Sequence, residues 1–327
     1  MHGSYTDALL GGAHTYLFPA RDAAGRGGLS RLGDRRPANA IELSWPQLRD
    51  DPPDVVVLQR EADLQDCAVH LGQRPGRELA AVWLEHNTPR LRVPDAWHPM
   101  AEVPGVLIVH VTYFNALLWD CGSAPTMVVE HGVADLGHRY TGEQARLAYV
   151  VNEPVRRWRV TGTDLLPVFR EHPIDAFGID GHLLPEKLGS RCPQLRFAGN
   201  LGPEELYAEM AQRRAYVHLN RWTSLGLSLL QAMVLGMPVL VLDATEASRA
   251  VPPGAGALSG DLEELRRTAA VLLADVDEAR ARGEGARQAA LERYPLDRFL
   301  ARWDEAFSRA EELVGSTARL PRLFPKR

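Results

Sequence analysis

Three groups of residues in this 327-residue chain have types and spacings suited to chemistry. The run WTSLGLSLLQAMVLGMPVLVL at 222–242 reads as a loop, a helix mouth at Gly226, an apolar helix, a Gly-Met-Pro turn and a buried strand. Gly226 leaves room for a ligand at the first turn, where free backbone N–H groups and the helix dipole favour an anion. An ordinary packing helix reads the same way. Arg156, Arg157 and Arg159 crowd the stretch before Gly162. Their planar forks suit bidentate capture of phosphate oxygens, although a solvated charge run has the same composition. His86, within EHNTP at 85–89, follows an apolar run at the carboxyl edge of a sheet, where α/β proteins place ligands. A lone histidine serves structure as often.

Elements of alternating type must position these groups. Apolar runs at 55–58, 79–84, 105–110 and 127–129 predict strands, with helices at 62–71 and from Asn115 through Trp119. The second half repeats the grammar. Strands are expected at 147–151, 174–178, 195–199, 215–219 and 239–242, and helices at 203–213, 261–273, 275–292 and 299–313. Gly236 and Pro238 end the helix that begins at Gly226. The alternation predicts an α/β fold with parallel, doubly wound sheets. His2, Gly3 and Ser4 arrive at once and Gly11-Gly12 soon after, with no strand between. Residues 20–40, rich in Arg, Gly and Asp, read as a mobile loop.

Length allows two separate cores. Apolar content of 45% and charged content of 24% are ordinary for a globular protein, so general disorder is excluded. A net charge of −5 carries no nucleic-acid footprint. Cys67, Cys121 and Cys192 lack a paired-ligand spacing and read as free thiols in a reducing compartment, without disulfide or zinc. No run approaches membrane-spanning length and no leader opens the chain. A cytoplasmic location is expected, with peripheral contact to the inner face of the membrane as its variant.

The segment 222–242 resembles the donor-domain signature of retaining, nucleotide-sugar-dependent glycosyltransferases of the GT-B fold, family 4 above all. That signature has the form E-G-F-G, four residues, E-A, then G-x-P-V-V. Here it corresponds to Thr223-Ser224-Leu225-Gly226, Gln231-Ala232-Met233 and Gly236-Met237-Pro238-Val239-Leu240. Glycine, Ala-Met and Gly-x-Pro match in register, whereas Thr223 and Gln231 replace glutamates. The resemblance is good over 145–295 and only in outline over 40–140. It implies two Rossmann-like doubly wound domains facing across a cleft, with a C-terminal helix crossing back to the first. Glu130-His131-Gly132-Val133 resembles the interdomain entry of these enzymes. The expected domains are therefore 1–132 for the acceptor, 133–294 for the nucleotide sugar, and 295–327 for the returning helix.

The resemblance also implies site residues. At least one of Arg156, Arg157 and Arg159 holds the donor phosphate, since Thr161 stands where the family has a lysine. Gln231 meets the ribose through its carbonyl oxygen. Thr223, Ser224, Leu225 and Gly226 face the diphosphate and sugar, Ser224 with an N-cap as its plainer role. Glu246 is a ribose contact or an exposed loop acid. His86 stands beside the transferred sugar, with His131 a competitor or a hinge. Gly3, Gly11 and Gly12 let backbone approach the diphosphate or acceptor, or are simply flexible. The implied activity moves a hexose from a nucleotide diphosphate sugar to a hydroxyl of a small molecule, lipid or glycan, with retention and without metal or cofactor. The alternatives are a catalytically weak homologue serving as partner subunit, and a sugar-nucleotide epimerase.

Overall fold

The computed structural model describes residues 3–20, 28–29 and 36–317. Most of the 20–40 loop, and His2, lie outside the described residues. The chain divides into two compact units, one running to Gly132 and resuming at Leu296, the other spanning Val133–Pro295.

Unit 1 begins with helix α1 (Gly3–Leu9), not with a strand. Tyr5 and Leu9, one helical turn apart, are both buried, and that spacing is helical rather than alternating. Strands β1 (Tyr16–Pro19) and β2 (Ala40–Leu43) pair in parallel as a separate ribbon. After α2 (Trp45–Asp50) come β3 (Val55–Leu58), α3 (Glu61–His70), β4 (Ala80–Glu85), β5 (Val106–His110), α4 (Tyr113–Leu118) and β6 (Thr126–Val128). The four strands β3 to β6 form a parallel sheet in chain order, with Glu85 opposite His110 in register. Strands β4 and β5 are buried along their whole length, as continuous apolar runs in a parallel sheet should be. The last helix, α12 (Leu296–Thr317), belongs to this unit. Phe299, Trp303, Ala306 and Ala310 recur at helical spacing and are all buried, giving α12 one apolar face.

Unit 2 comprises β7 (Gln144–Val150), α5 (Pro154–Arg157), β8 (Ile174–Phe177), α6 (Leu184–Leu188), β9 (Leu195–Gly199), α7 (Pro203–Met210), β10 (Arg213–His218), α8 (Leu227–Leu235), β11 (Val239–Leu242), α9 (Ala247–Ala250), β12 (Gly256–Ser259), α10 (Leu262–Ala274) and α11 (Val276–Arg293). Its six parallel strands lie in the order β12-β11-β10-β7-β8-β9. The chain thus starts in the middle, runs outward to one edge, and returns past its start to build the other. This is the doubly wound arrangement, and its reversal falls between β7 and β10. Helix α8 ends at Gly236, which takes a left-handed φ of 90° as the sequence anticipates.

Helix α11 differs from its surface-helix reading. Ala279, Gly283, Ala286 and Ala290 recur three or four residues apart and are buried, so a small-residue stripe lets it pack closely. On β8 the buried Asp175 accepts from Arg146 at 2.6 Å, Arg196 at 2.7 Å and Arg213 at 2.9 Å. Burial alone would raise its pKa, but the three guanidiniums outweigh it and hold the carboxylate below its ordinary range.

Candidate functional site

Ligands of open α/β sheets bind outside the carboxyl ends of the strands where the order reverses. In unit 2 that point lies beyond Val150 of β7 and His218 of β10. The two segments leaving these ends, 151–164 and 219–226, contain most of the sequence-predicted donor residues.

The basic stretch is part helix and part turn. Pro154 occupies the first turn, where its missing N–H costs nothing, and residues 154–157 form α5, with Glu153 before it in a left-handed conformation. Arg156 therefore stands on a helical turn and pairs with Glu153 at 2.7 Å. Arg157 lies on the same turn. Arg159 is exposed and reaches Asp164 at 3.2 Å. The return of this segment depends on Gly162, with φ of 67°. A Cβ there would overlap the carbonyl oxygen of Leu219, so the segment lies directly against the end of β10. Beneath it the buried Tyr149 hydroxyl lies 3.2 Å from both the Thr161 carbonyl and the Thr163 hydroxyl.

Arg221 ties the two segments together, a role that the sequence reading missed. Its guanidinium donates to Asp164 at 3.0 and 3.2 Å and to the Arg159 carbonyl at 2.8 Å. Its backbone N–H donates to the Val160 carbonyl at 2.9 Å. The available signal was a single basic residue placed between a strand end and a helix mouth.

Gly226 is the N-cap of α8, and no side chain caps the helix there, so Ser224 does not fill that role. The space at Gly226 is not open. A Cβ would overlap Cε1 of His218 and lie 3.1 Å from its Nε2 and 3.3 Å from Asn220 Nδ2. The glycine is thus required by the chain's own buried imidazole, whose pKa burial pushes down to about 4. Leu225 is buried in the core. The Thr223 hydroxyl is shielded from solvent and has no hydrogen-bond partner among the described residues. Gln231 uses its amide N–H₂ to donate to the Tyr207 hydroxyl at 2.9 Å. Glu246 is buried rather than exposed and pairs with Arg249 at 2.9 Å.

The remaining predicted residues lie in unit 1, where His86 and His131 meet Tyr5. The Tyr5 ring meets His86 edge-on at 4.7 Å, His131 at 5.6 Å and Phe299 of α12 at 5.3 Å. Its hydroxyl accepts from the Trp303 indole at 3.1 Å. Gly132 packs on Phe299 so closely that a Cβ would enter the ring. Gly3 opens α1, and Gly11 and Gly12 follow its end. They lie in contact with the chain itself. A Cβ on Gly12 would sit 2.5 Å from the Tyr16 hydroxyl and 3.5 Å from Leu300, and one on Gly11 3.1 Å from the Ala8 carbonyl.

The three cysteines are free and buried. Among the described residues no group of three or more His, Cys, Asp and Glu is arranged to hold a metal ion. The one Asp-x-Asp spacing, Asp275 and Asp277, is structural: Asp275 caps α11 by accepting from the N–H groups of Asp277 and Glu278 at 3.0 Å. No helix among the described residues is long and apolar enough to cross a membrane.

Residues 192–289 match the family described as glycosyl transferases group 1, a span holding α7, β10, α8 and β11. No curated protein matches the sequence. The fold is that of GT-B glycosyltransferases. TarM of S. aureus, solved as a mutant with fondaparinux, α-GlcNAc-glycerol and UDP, superposes with a TM-score of 0.63 at 13% identity, over 80% of this chain and 58% of that one. HepE of Anabaena with UDP-glucose gives 0.60 at 15% identity, over 81% and 80%. Sucrose-phosphate synthase of Thermosynechococcus elongatus gives 0.64 at 13%, over 81% and 75%. The chain thus spans little more than half the length of TarM.

Proposed function

We propose that this protein transfers a hexose from a nucleotide diphosphate sugar, held by unit 2, to a hydroxyl of an acceptor held by unit 1. The observation that carries this reading is the convergence at the β7–β10 reversal of an arginine-bearing turn with the uncapped mouth of α8. A departing diphosphate develops negative charge, and oriented N–H groups with nearby guanidiniums are what stabilises it. The group 1 match over α7 to β11, and the UDP or UDP-glucose bound by TarM and HepE, support the same reading.

In the retaining, metal-independent form of the reaction, the bond from the sugar's anomeric carbon to the β-phosphate oxygen breaks. The acceptor oxygen bonds to the same face of that carbon, and its proton passes to the leaving phosphate. No protein nucleophile is required, so Thr223 and Gln231 in place of two carboxylates are compatible with the scheme. Thr223 offers its hydroxyl to the diphosphate or sugar, and Gln231 offers an uncharged acceptor to the ribose. His86 serves the acceptor side of the transferred sugar.

Incubation with a panel of UDP, GDP and dTDP sugars tests the proposal. Release of nucleoside diphosphate from at least one donor is the expected result. Binding of a nucleotide without turnover under any acceptor would favour the partner-subunit alternative, and failure to bind any nucleotide would overturn both.

A further inference from the structure

We propose that Glu85 and Trp119 are positioning residues that hold the His86 turn in a single conformation. The inference rests on the acceptor-side role given to His86 above. Strand β4 ends at Glu85, a buried carboxylate in an otherwise apolar strand. One of its oxygens accepts the backbone N–H of Asn87 at 2.7 Å. The other accepts from the Trp83 indole at 3.2 Å and lies 3.3 Å from Nε2 of the fully buried His98. The tautomer of His98 follows from its second nitrogen. Nδ1 accepts the backbone N–H of Met100 at 3.0 Å, so Nε2 carries the proton and donates to Glu85. On the opposite side of the same residue, the Trp119 indole donates to the Asn87 carbonyl at 2.8 Å. Both peptide groups of Asn87 are thereby fixed, one by a carboxylate and one by an indole, immediately after His86.

Stability does not account for this arrangement. Replacing a buried ionic network by well-packed apolar residues is often neutral or stabilising, whereas a fully satisfied network selects one local geometry. The geometry selected here is that of the residues following β4. His86 is itself held edge-on by Tyr5 at 4.7 Å, so its ring is fixed by packing and its backbone by the network. A group that must stand beside a reacting sugar benefits from such a hold, because small misplacements cost large factors in rate.

The full chain with UDP-glucose tests the inference on two readouts. Trp119→Phe deletes the indole N–H together with part of the ring's bulk, and keeps an aromatic ring beside His98, which lies 5.0 Å away between centroids. Glu85→Leu deletes both acceptor oxygens, whereas Glu85→Gln keeps one and sets its amide N–H₂ against a donor of the network. Amide exchange in the 85–89 segment is expected to rise about tenfold in W119F and E85L, and to rise in E85Q as well. The turnover of UDP release should fall about tenfold in W119F and E85L at unchanged KM for the donor, and fall in E85Q too, because its amide meets donors that only a carboxylate accepts on both oxygens. In a His86→Ala background W119F should cause no further loss, since it acts through that residue. Unchanged exchange overturns the inference, and so does a W119F loss equal with and without His86. If the wild-type chain releases UDP from no donor, the proposed activity fails, and exchange alone decides the positioning role.

Discussion

Replacing Gly226 by alanine separates two explanations of that residue. Its φ of −73° suits any amino acid, so a new methyl group meets no backbone penalty. The methyl would overlap Cε1 of His218 and lie 3.1 Å from Nε2 and 3.3 Å from Asn220 Nδ2, inside the roughly 3.5–4.0 Å of comfortable contact. His218 is buried, and its Nδ1 lies 3.5 Å from the Tyr216 hydroxyl, which in turn donates to Ser228 at 2.9 Å. The ring cannot retreat without disturbing that chain, and overpacking of this kind costs about 2 kcal/mol. For a unit of this size that is a fall in melting temperature of roughly 4–8 °C. Removing the obstruction should remove the effect. In a His218→Ala background, Gly226→Ala is expected to cost less than about 0.5 kcal/mol, because the methyl enters vacated space. Thermal melts of the four proteins, with UDP titrated calorimetrically into each, measure both terms. A G226A protein that melts like wild type and loses only UDP affinity would refute the packing argument and restore the simpler view that the glycine makes room for ligand.

Three further outcomes follow from the same structure. Asp175→Asn leaves the buried Arg213 with only the half-exposed Glu209 as its carboxylate and should cost about 3 kcal/mol at pH 7. Because the folded pKa of Asp175 is lowered, that contribution is present above the ordinary carboxylate range and lost as pH falls through the folded value, so melts of wild type and variant should converge in acid. His110 and His218 are both pushed down to about 4, chiefly by burial, so the unfolded chain binds more protons between pH 4 and the ordinary histidine value near 6.5. Stability should fall by roughly 2 kcal/mol per histidine between pH 7 and pH 5, and His110→Gln should remove its share of that slope. Finally, Glu153→Gln deletes the exposed partner of Arg156, and UDP should bind more tightly by calorimetry; unchanged affinity would exclude Arg156 from the phosphate site.

The doubly wound half of the fold was legible because its signals are local. Buried parallel strands read as continuous apolar runs, and Gly236 with Pro238 marks the end of α8 whatever surrounds it. The order of the six strands was not legible, since it depends on pairings between segments far apart in sequence. The candidate site was legible by residue type and not by contact. Arg156, Arg159 and Gly226 were visible as a basic stretch and a helix mouth. Whether Gly226 faces ligand or His218 is decided across the β10–α8 turn, which no spacing encodes. Glu85 was passed over because its partner His98 is 13 positions away, and the Trp119 that holds the other side of Asn87 lies 32 positions beyond that residue. Helix α1 was missed because its two buried residues, Tyr5 and Leu9, give too short a pattern to distinguish helix from loop.

The arginines at the reversal divide into two kinds, and the division bears on how a diphosphate would be received. Arg156 and Arg159 are exposed, with 67% and 73% of their side chains open to solvent. Their carboxylate partners compete with water at little advantage, so an incoming phosphate can take either guanidinium without a large penalty. Arg221 differs, with 28% of its side chain open and both Asp164 oxygens engaged. Extracting it would leave the largely buried Asp164 with only the exposed Arg159, and would release the Arg159 carbonyl and the apposed segments together. Arg221 therefore serves as a fixed brace between the ends of β7 and β10, while the exposed arginines are the exchangeable cations. That arrangement fits a site that must bind a charged donor and later let a charged product leave. Rigid cations around a diphosphate would favour retention of the product, whereas mobile ones beside a rigid brace permit turnover.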